Sequence, residues 1–255
     1  MKKGSRSAQS VLRANQQNAQ SVAAFVDGGN RLMDEGQHRQ AQEAFQAAVD
    51  LLLSHKSRDD KRLAIARYNL ARAFAALGKI ERAASEYRAA LALRPRFPEA
   101  QNNLGMLLID GGQFQEAAEL FRKAVATDPL FASAHYGLGV ALQNLGDNTS
   151  AAMCYQKALT LKPDFYASWI NLGLICYAIG SFEVAMHCYH EAIGLCPDNA
   201  ELYFQLGLAY MAQERFADAT RAFSKALELQ PDFPLARDAL EEAMYFKLAV
   251  MGKTA

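Results

Sequence analysis

Five of the seven prolines in this 255-residue chain, Pro95, Pro129, Pro163, Pro197 and Pro231, recur at one constant spacing. A fixed period of that length constrains the fold more than composition does, because each period must be one structural unit whose apolar face is covered by its neighbours. Numbering a unit from position 1 at Val22, Ala64, Pro98, Ala132, Tyr166 and Ala200 aligns six units, the last five in unbroken steps of the proline period. Position 20 is then always alanine (Ala41, Ala83, Ala117, Ala151, Ala185, Ala219), and so is position 27 (Ala48, Ala90, Ala124, Ala158, Ala192, Ala226). Position 24 is always aromatic (Phe45, Tyr87, Phe121, Tyr155, Tyr189, Phe223) and position 8 is small (Gly29, Ala71, Gly105, Gly139, Gly173, Gly207). Small residues let helices approach closely, and the ring fills the space beside them.

Within each unit, apolar residues recur at helical spacing on both sides of position 15, which is Gly36, Gly78, Gly112, Gly146 and Gly180 in the first five units and Glu214 in the sixth. A glycine there fits a helix C-terminus in the left-handed conformation, so each unit reads as helix A, tight turn, helix B. The proline at position 32, replaced by Leu53 in the first unit, stops helix B. The segments Tyr203-x2-Leu206-Gly207-x2-Tyr210, Ala219-x3-Phe223 and Pro231, together with Trp169-x2-Leu172-Gly173, resemble the signature of the tetratricopeptide repeat (TPR) family. That resemblance covers residues 22 to 233 and implies an all-α, right-handed superhelix, an α-solenoid of six helix-turn-helix repeats. It says less about function, because sites are grafted on folds.

The expected organisation is a polar, basic tail over 1–21, repeats over 22–63, 64–97, 98–131, 132–165, 166–199 and 200–233, and a capping helix with its tail over 234–255. The first step, from Val22 to Ala64, is longer than the others, and its extra length lies around Ser54 to Lys61, read as longer flanking helices or a polar loop with Asp59 or Asp60 as a helix cap. Beyond Pro234, the apolar Leu235, Ala239, Leu240, Met244 and Leu248 alternate with Arg237, Asp238, Glu241 and Glu242, as expected of a helix shielding the open end of a solenoid.

Charge is balanced, 27 basic side chains against 27 acidic, which argues against a nucleic-acid binder. The balance is uneven along the chain: residues 1 to 20 carry Lys2, Lys3, Arg6 and Arg13 with no acid, leaving 23 bases against 27 acids elsewhere. That stretch reads as a mobile tail or a regulatory arm. No apolar leader segment follows Met1 and no run is long and uncharged enough for membrane insertion, so a reducing cytoplasm is expected, with Cys154, Cys176, Cys188 and Cys196 as free thiols.

The TPR resemblance further implies that positions 2, 5, 6, 9, 12 and 13 of the A helices line a concave, peptide-binding surface. Here those positions supply Tyr68, Asn69, Arg72, Asn102, Asn103, Met106, Tyr136, Val140, Ile170, Asn171, Leu174, Tyr177, Phe204, Gln205 and Leu208, a mainly apolar groove. It counts one base, Arg72, against five acids, Asp27, Asp34, Glu99, Asp110 and Glu201, and the lysines with which chaperone-binding members clamp a peptide carboxylate are missing. Position 6 (Asn69, Asn103, Gly137, Asn171, Gln205) resembles the asparagine ladder in the TPR arm of O-linked N-acetylglucosamine transferases. Those amides either hold a peptide backbone or satisfy a neighbouring helix.

Catalytic signals are few. Glu183, His187, His190 and Glu191 share one helical face near Cys188, as a metal site or a solvated polar surface. Cys154 and Cys188 stand one repeat apart, about 10 Å by helix packing, too far for a disulfide. Gly137-x-Gly139 lacks the third glycine of a dinucleotide fingerprint, Leu142 standing in its place. The expected function is therefore a non-enzymatic adaptor without cofactor or metal, whose groove takes a peptide or helix of a protein partner. The alternatives are a targeting subunit for a separate glycosyltransferase-like enzyme, or a self-assembling scaffold that forms a homo-oligomer.

Overall fold

The computed structural model describes residues 20–54 and 59–251. The described residues form thirteen helices and no strand. They are α1 (20–34), α2 (His38–Ser54), α3 (Asp60–Ala76), α4 (Ile80–Leu93), α5 (Pro98–Asp110), α6 (Phe114–Thr127), α7 (Ala132–Asn144), α8 (Asn148–Leu161), α9 (Tyr166–Ala178), α10 (Phe182–Leu195), α11 (Ala200–Ala212), α12 (Phe216–Leu229) and α13 (Pro234–Met251). Two compact units divide the chain, Met1–Pro129 with α1 to α6 and Leu130–Ala255 with α7 to α13, and each is a stack of helical hairpins.

The repeat register is the core. All twelve alanines at positions 20 and 27 are fully buried, and so are the rings at position 24, the most exposed being Tyr87 at 2%. Alanine is required because helix B is buried against helices on both sides there, and a larger side chain would hold them apart. The small residue at position 8 is equally constrained: a Cβ on Gly139 would lie 2.6 Å from the Tyr155 ring, and one on Gly105 would lie 2.7 Å from Phe121.

Each hairpin turns in the same way. In the second repeat of the C-terminal unit, Gly180 N–H donates to the Tyr177 carbonyl (3.0 Å) and Ser181 N–H to that of Cys176 (2.8 Å), closing the end of α9. Both bonds require the residue between the helices to adopt a left-handed backbone. The five glycines at position 15 do so with φ between 70° and 84°. Glu214 does so as well, at φ 56°, so the sixth repeat keeps the turn without the glycine.

Repeats join through the proline at position 32, whose carbonyl is left without an intrahelical donor. At three of these junctions the side chain at position 4 of the next helix supplies one: Gln101 Nε2 donates to Pro95 O (2.7 Å), Trp169 Nε1 to Pro163 O (2.8 Å) and Arg237 Nη2 to Pro231 O (2.9 Å).

At the longer first step, α2 and α3 each extend to 17 residues, and Asp59 caps α3 by accepting the Arg62 N–H at 3.1 Å. Residues 55–58 of the insertion and 1–19 of the expected tail lie outside the described residues, while residues 20 and 21 already belong to α1. The C-terminal helix corrects one expectation. Ala236 and Ala243, with Ala239 and Leu240 beside them, face the core, whereas Leu235, Met244 and Leu248 are 62%, 48% and 67% exposed. The reason is geometric: at about 100° per residue these three leave the arc that 236, 239, 240 and 243 share.

Candidate functional site

The A-helix positions expected to line a groove divide into three kinds. Position 5 carries a ring in every second repeat, and none of those rings stands free. Tyr68 lies 5.9 Å from Tyr87 and 4.9 Å from Phe97, Tyr136 lies 5.8 Å from Tyr155 and 4.8 Å from Phe165, and Phe204 lies 5.8 Å from Phe223 and 5.0 Å from Phe233. Each is the middle of a three-ring cluster built from positions 5, 24 and 34 of one repeat, at the tilted separations aromatic pairs favour. Arg94 covers the Phe97 ring at 4.4 Å and Lys162 covers Phe165 at 5.5 Å. Phe204 is consequently 9% exposed and a core residue, which corrects its reading as a groove contact, while Tyr68 and Tyr136 are half-buried. The position-34 phenylalanines were missed from the sequence; the signal was their constant spacing from each position-5 ring, as Phe97 follows Tyr68, Phe165 follows Tyr136 and Phe233 follows Phe204.

Position 6 holds the second kind. Asn103 Nδ2 donates to the hydroxyls of Tyr68 (3.3 Å) and Tyr87 (3.4 Å), and its Oδ1 accepts from Asn102 Nδ2 (3.2 Å). Asn171 Nδ2 donates to the Tyr155 hydroxyl (3.2 Å), which itself donates to Gln143 Oε1 (2.7 Å). These two amides satisfy tyrosines of the preceding repeat, because a buried hydroxyl without a partner is costly. Burial pushes both ring hydroxyls up, Tyr87 to about 12, with the asparagine bond opposing the shift. Asn69 and Asn102 are buried at 5% and 8% exposure, which corrects their place among the groove contacts too. Gln205 departs from the pattern and donates instead to Glu201 Oε1 at 2.7 Å.

The third kind remains half-buried with no ring stack or hydrogen-bond network: Met106 in the N-terminal unit, and Val140, Ile170, Leu174 and Leu208 in the C-terminal one. Tyr177 is also half-buried, its ring meeting that of Phe182 edge-on with the centroids 5.4 Å apart. Arg72, the one base, sits 5.9 Å over Tyr68 and donates to Asn69 Oδ1 at 3.4 Å.

The proposed metal ligands turn to separate neighbours. His187 meets the Trp169 ring edge-on at 5.7 Å and lies 4.0 Å from Glu191, whereas His190 pairs with the Tyr210 hydroxyl at 3.0 Å. No group of three or more His, Cys, Asp or Glu side chains is gathered for a metal among the described residues. Cys176 and Cys188 are buried thiols, and burial pushes Cys188 up to about 12. None of the described helices is long and apolar enough to cross a membrane.

Family profiles described as tetratricopeptide repeat match residues 26–96, 68–130, 102–152 and 200–233, and one described as TPR repeat matches 173–214. Together they account for more than half of the chain. The chain belongs to the tetratricopeptide repeat family. Its TPR fold recurs in solved structures. YrrB, described as a TPR protein with an unusual peptide-binding site, is 24% identical with a TM-score of 0.67, over 78% of this chain and 99% of that one. MamA is 26% identical with a TM-score of 0.61, over 66% of this chain and 92% of that one. PilF of Pseudomonas aeruginosa is 20% identical with a TM-score of 0.76, over 89% of this chain and 99% of that one. No curated protein matches the TPR sequence significantly.

Proposed function

We propose that this protein is a non-catalytic adaptor that binds a peptide or helical segment of a partner protein along its A helices. The observation that carries the reading is the strip formed by Val140, Ile170, Leu174, Tyr177 and Leu208 on α7, α9 and α11, which stays half-buried although the position-24 rings Tyr155, Tyr189 and Phe223 are fully packed. Apolar side chains held on stacked helices form a surface that needs little ordering when it binds. The peptide-binding description of YrrB supports the same reading for a chain of this fold. The working groove is narrower than the sequence suggests. In the C-terminal unit Tyr136 shapes its wall, and the carbonyl oxygens of the Asn171 and Gln205 side chains offer its polar edge, their N–H groups being engaged by Tyr155 and Glu201. The N-terminal unit carries a smaller counterpart in Tyr68, Arg72, Asn103 and Met106. A reducing, cytoplasmic setting suits the free thiols.

The test is capture of partners by the full chain with Ile170→Arg and Leu174→Arg as controls, because both side chains are half-buried and outside the ring clusters. A partner retained by the wild type, lost with both variants at unchanged helical circular dichroism, and protecting amides of α9 and α11 from exchange supports the reading. Retention by both variants refutes it.

A further inference from the structure

The junction between the last two repeats breaks a pattern kept at the two other junctions that have a tyrosine at position 24. The Tyr87 hydroxyl accepts a bond from Asn103, and Tyr155 accepts one from Asn171. The equivalent Tyr189 is fully buried, and its hydroxyl has no partner among the described residues. The residue placed to serve it is Gln205, whose amide goes to Glu201, one helical turn earlier on α11. Glutamine is one methylene longer than asparagine, so it can reach along its own helix as well as across to the ring.

Glu201 is exceptional in its own right. Positions 2, 5, 6, 9, 12 and 13 of α7, α9 and α11 hold no other acid and no base. The carboxylate is exposed, accepts from Gln205, and has no cationic partner among the described residues. Burial foremost, then Cys188, Tyr177, Cys176 and the Glu201 charge, push the Tyr189 hydroxyl upward, which places carboxylate and phenol within one electrostatic neighbourhood. An isolated charge beside an apolar strip selects for its opposite.

We propose that α9 and α11 receive an apolar peptide segment carrying one lysine or arginine, whose cation takes the Glu201 carboxylate and frees the Gln205 amide to donate to the Tyr189 hydroxyl. This rests on the adaptor reading and adds to it a ligand class and a coupling. Ion pairing at Glu201 replaces the Gln205 bond, and the released amide satisfies a buried hydroxyl that is otherwise unpaired. Cation recognition and closure of the repeat junction are then a single event.

The experiment uses three fluorescein-labelled nonapeptide pools with alternating serine and randomised Leu, Ile, Val or Phe, and lysine, norleucine or glutamate at the centre. Each is titrated against the full chain by fluorescence anisotropy. The lysine pool is expected to bind about fivefold tighter than the norleucine pool, with the glutamate pool weakest. Glu201→Gln should remove that preference while keeping norleucine-pool affinity. Tyr189→Phe should reduce the preference about twofold to threefold without lowering the melting temperature of the free protein, which a purely structural tyrosine would not do. Equal binding of the lysine and glutamate pools, a preference that survives Glu201→Gln, or one untouched by Tyr189→Phe overturns the proposal. If Leu174→Arg still abolishes binding of every pool in those cases, the adaptor reading stands alone. If no pool binds the wild type, both fall.

Discussion

Replacing Glu214 by glycine should stabilise the protein, although it removes a side chain and adds none. Glu214 occupies the turn between α11 and α12 at φ 56°, where the five equivalent residues are glycine. The left-handed conformation brings a Cβ against the following carbonyl, a cost of roughly 1–2 kcal/mol for a non-glycine residue. The Glu214 side chain is exposed, so no packing is lost with it. The turn bonds, Glu214 N–H to the Met211 carbonyl (3.0 Å) and Arg215 N–H to that of Tyr210 (2.9 Å), are backbone bonds that glycine keeps. Against the relief stands the greater freedom of glycine in the unfolded chain, about 0.5–1 kcal/mol. The net gain is about 0.5–1 kcal/mol, or a rise of roughly 1–4 °C in Tm for a chain of this size. Scanning calorimetry resolves that shift. The reciprocal Gly180→Glu, at φ 77°, should lower Tm by a similar amount. A fall in Tm on Glu214→Gly, or a neutral Gly180→Glu, would refute the argument that backbone strain separates the sixth turn from the fifth.

The two tyrosines at equivalent places should respond oppositely: Tyr155→Phe loses two hydrogen bonds and should cost about 1 kcal/mol, while Tyr189→Phe removes an unpaired buried hydroxyl and should be neutral or stabilising by urea denaturation. Phe204→Ala empties the centre of a buried three-ring cluster and should cost about 3–5 kcal/mol, whereas Leu174→Ala, half-buried, should cost less than half of that in the same measurement. Stability should decline above about pH 9, because Cys188 keeps its proton in the fold up to about 12 while the unfolded thiol loses it earlier. The folded state then binds more protons through that window, so Tm falls as pH rises. Cys188→Ala should flatten the decline.

The repeat was legible because its determinants are local and recur. The ring at position 24 and the small residue at 8 are forced by the contact between the two helices of one hairpin, and alanine at 20 and 27 by the helices on both sides of helix B, and these contacts recur along one chain. The turn glycines were legible for the same reason, since a left-handed residue between two helices is a requirement of the backbone alone. The candidate groove was legible only in part. Helical spacing puts Phe204 and Ile170 at the same position of their repeats, yet one is core and the other half-exposed. What separates them is Phe233, which arrives from the far end of the same repeat to cover Phe204, while the fifth repeat has Asn199 at that place.

The amide ladder divides likewise. By itself the sequence determined that the chain is a solenoid of TPR hairpins with a given register, because burial at a fixed period leaves no other way to cover the apolar faces. Only the tertiary structure decided which inner amides are spent, since a hydrogen bond depends on where a side chain from the neighbouring repeat arrives. Asn103 and Asn171 are occupied by tyrosines, whereas one extra methylene turns Gln205 toward Glu201 and leaves Tyr189 unpaired.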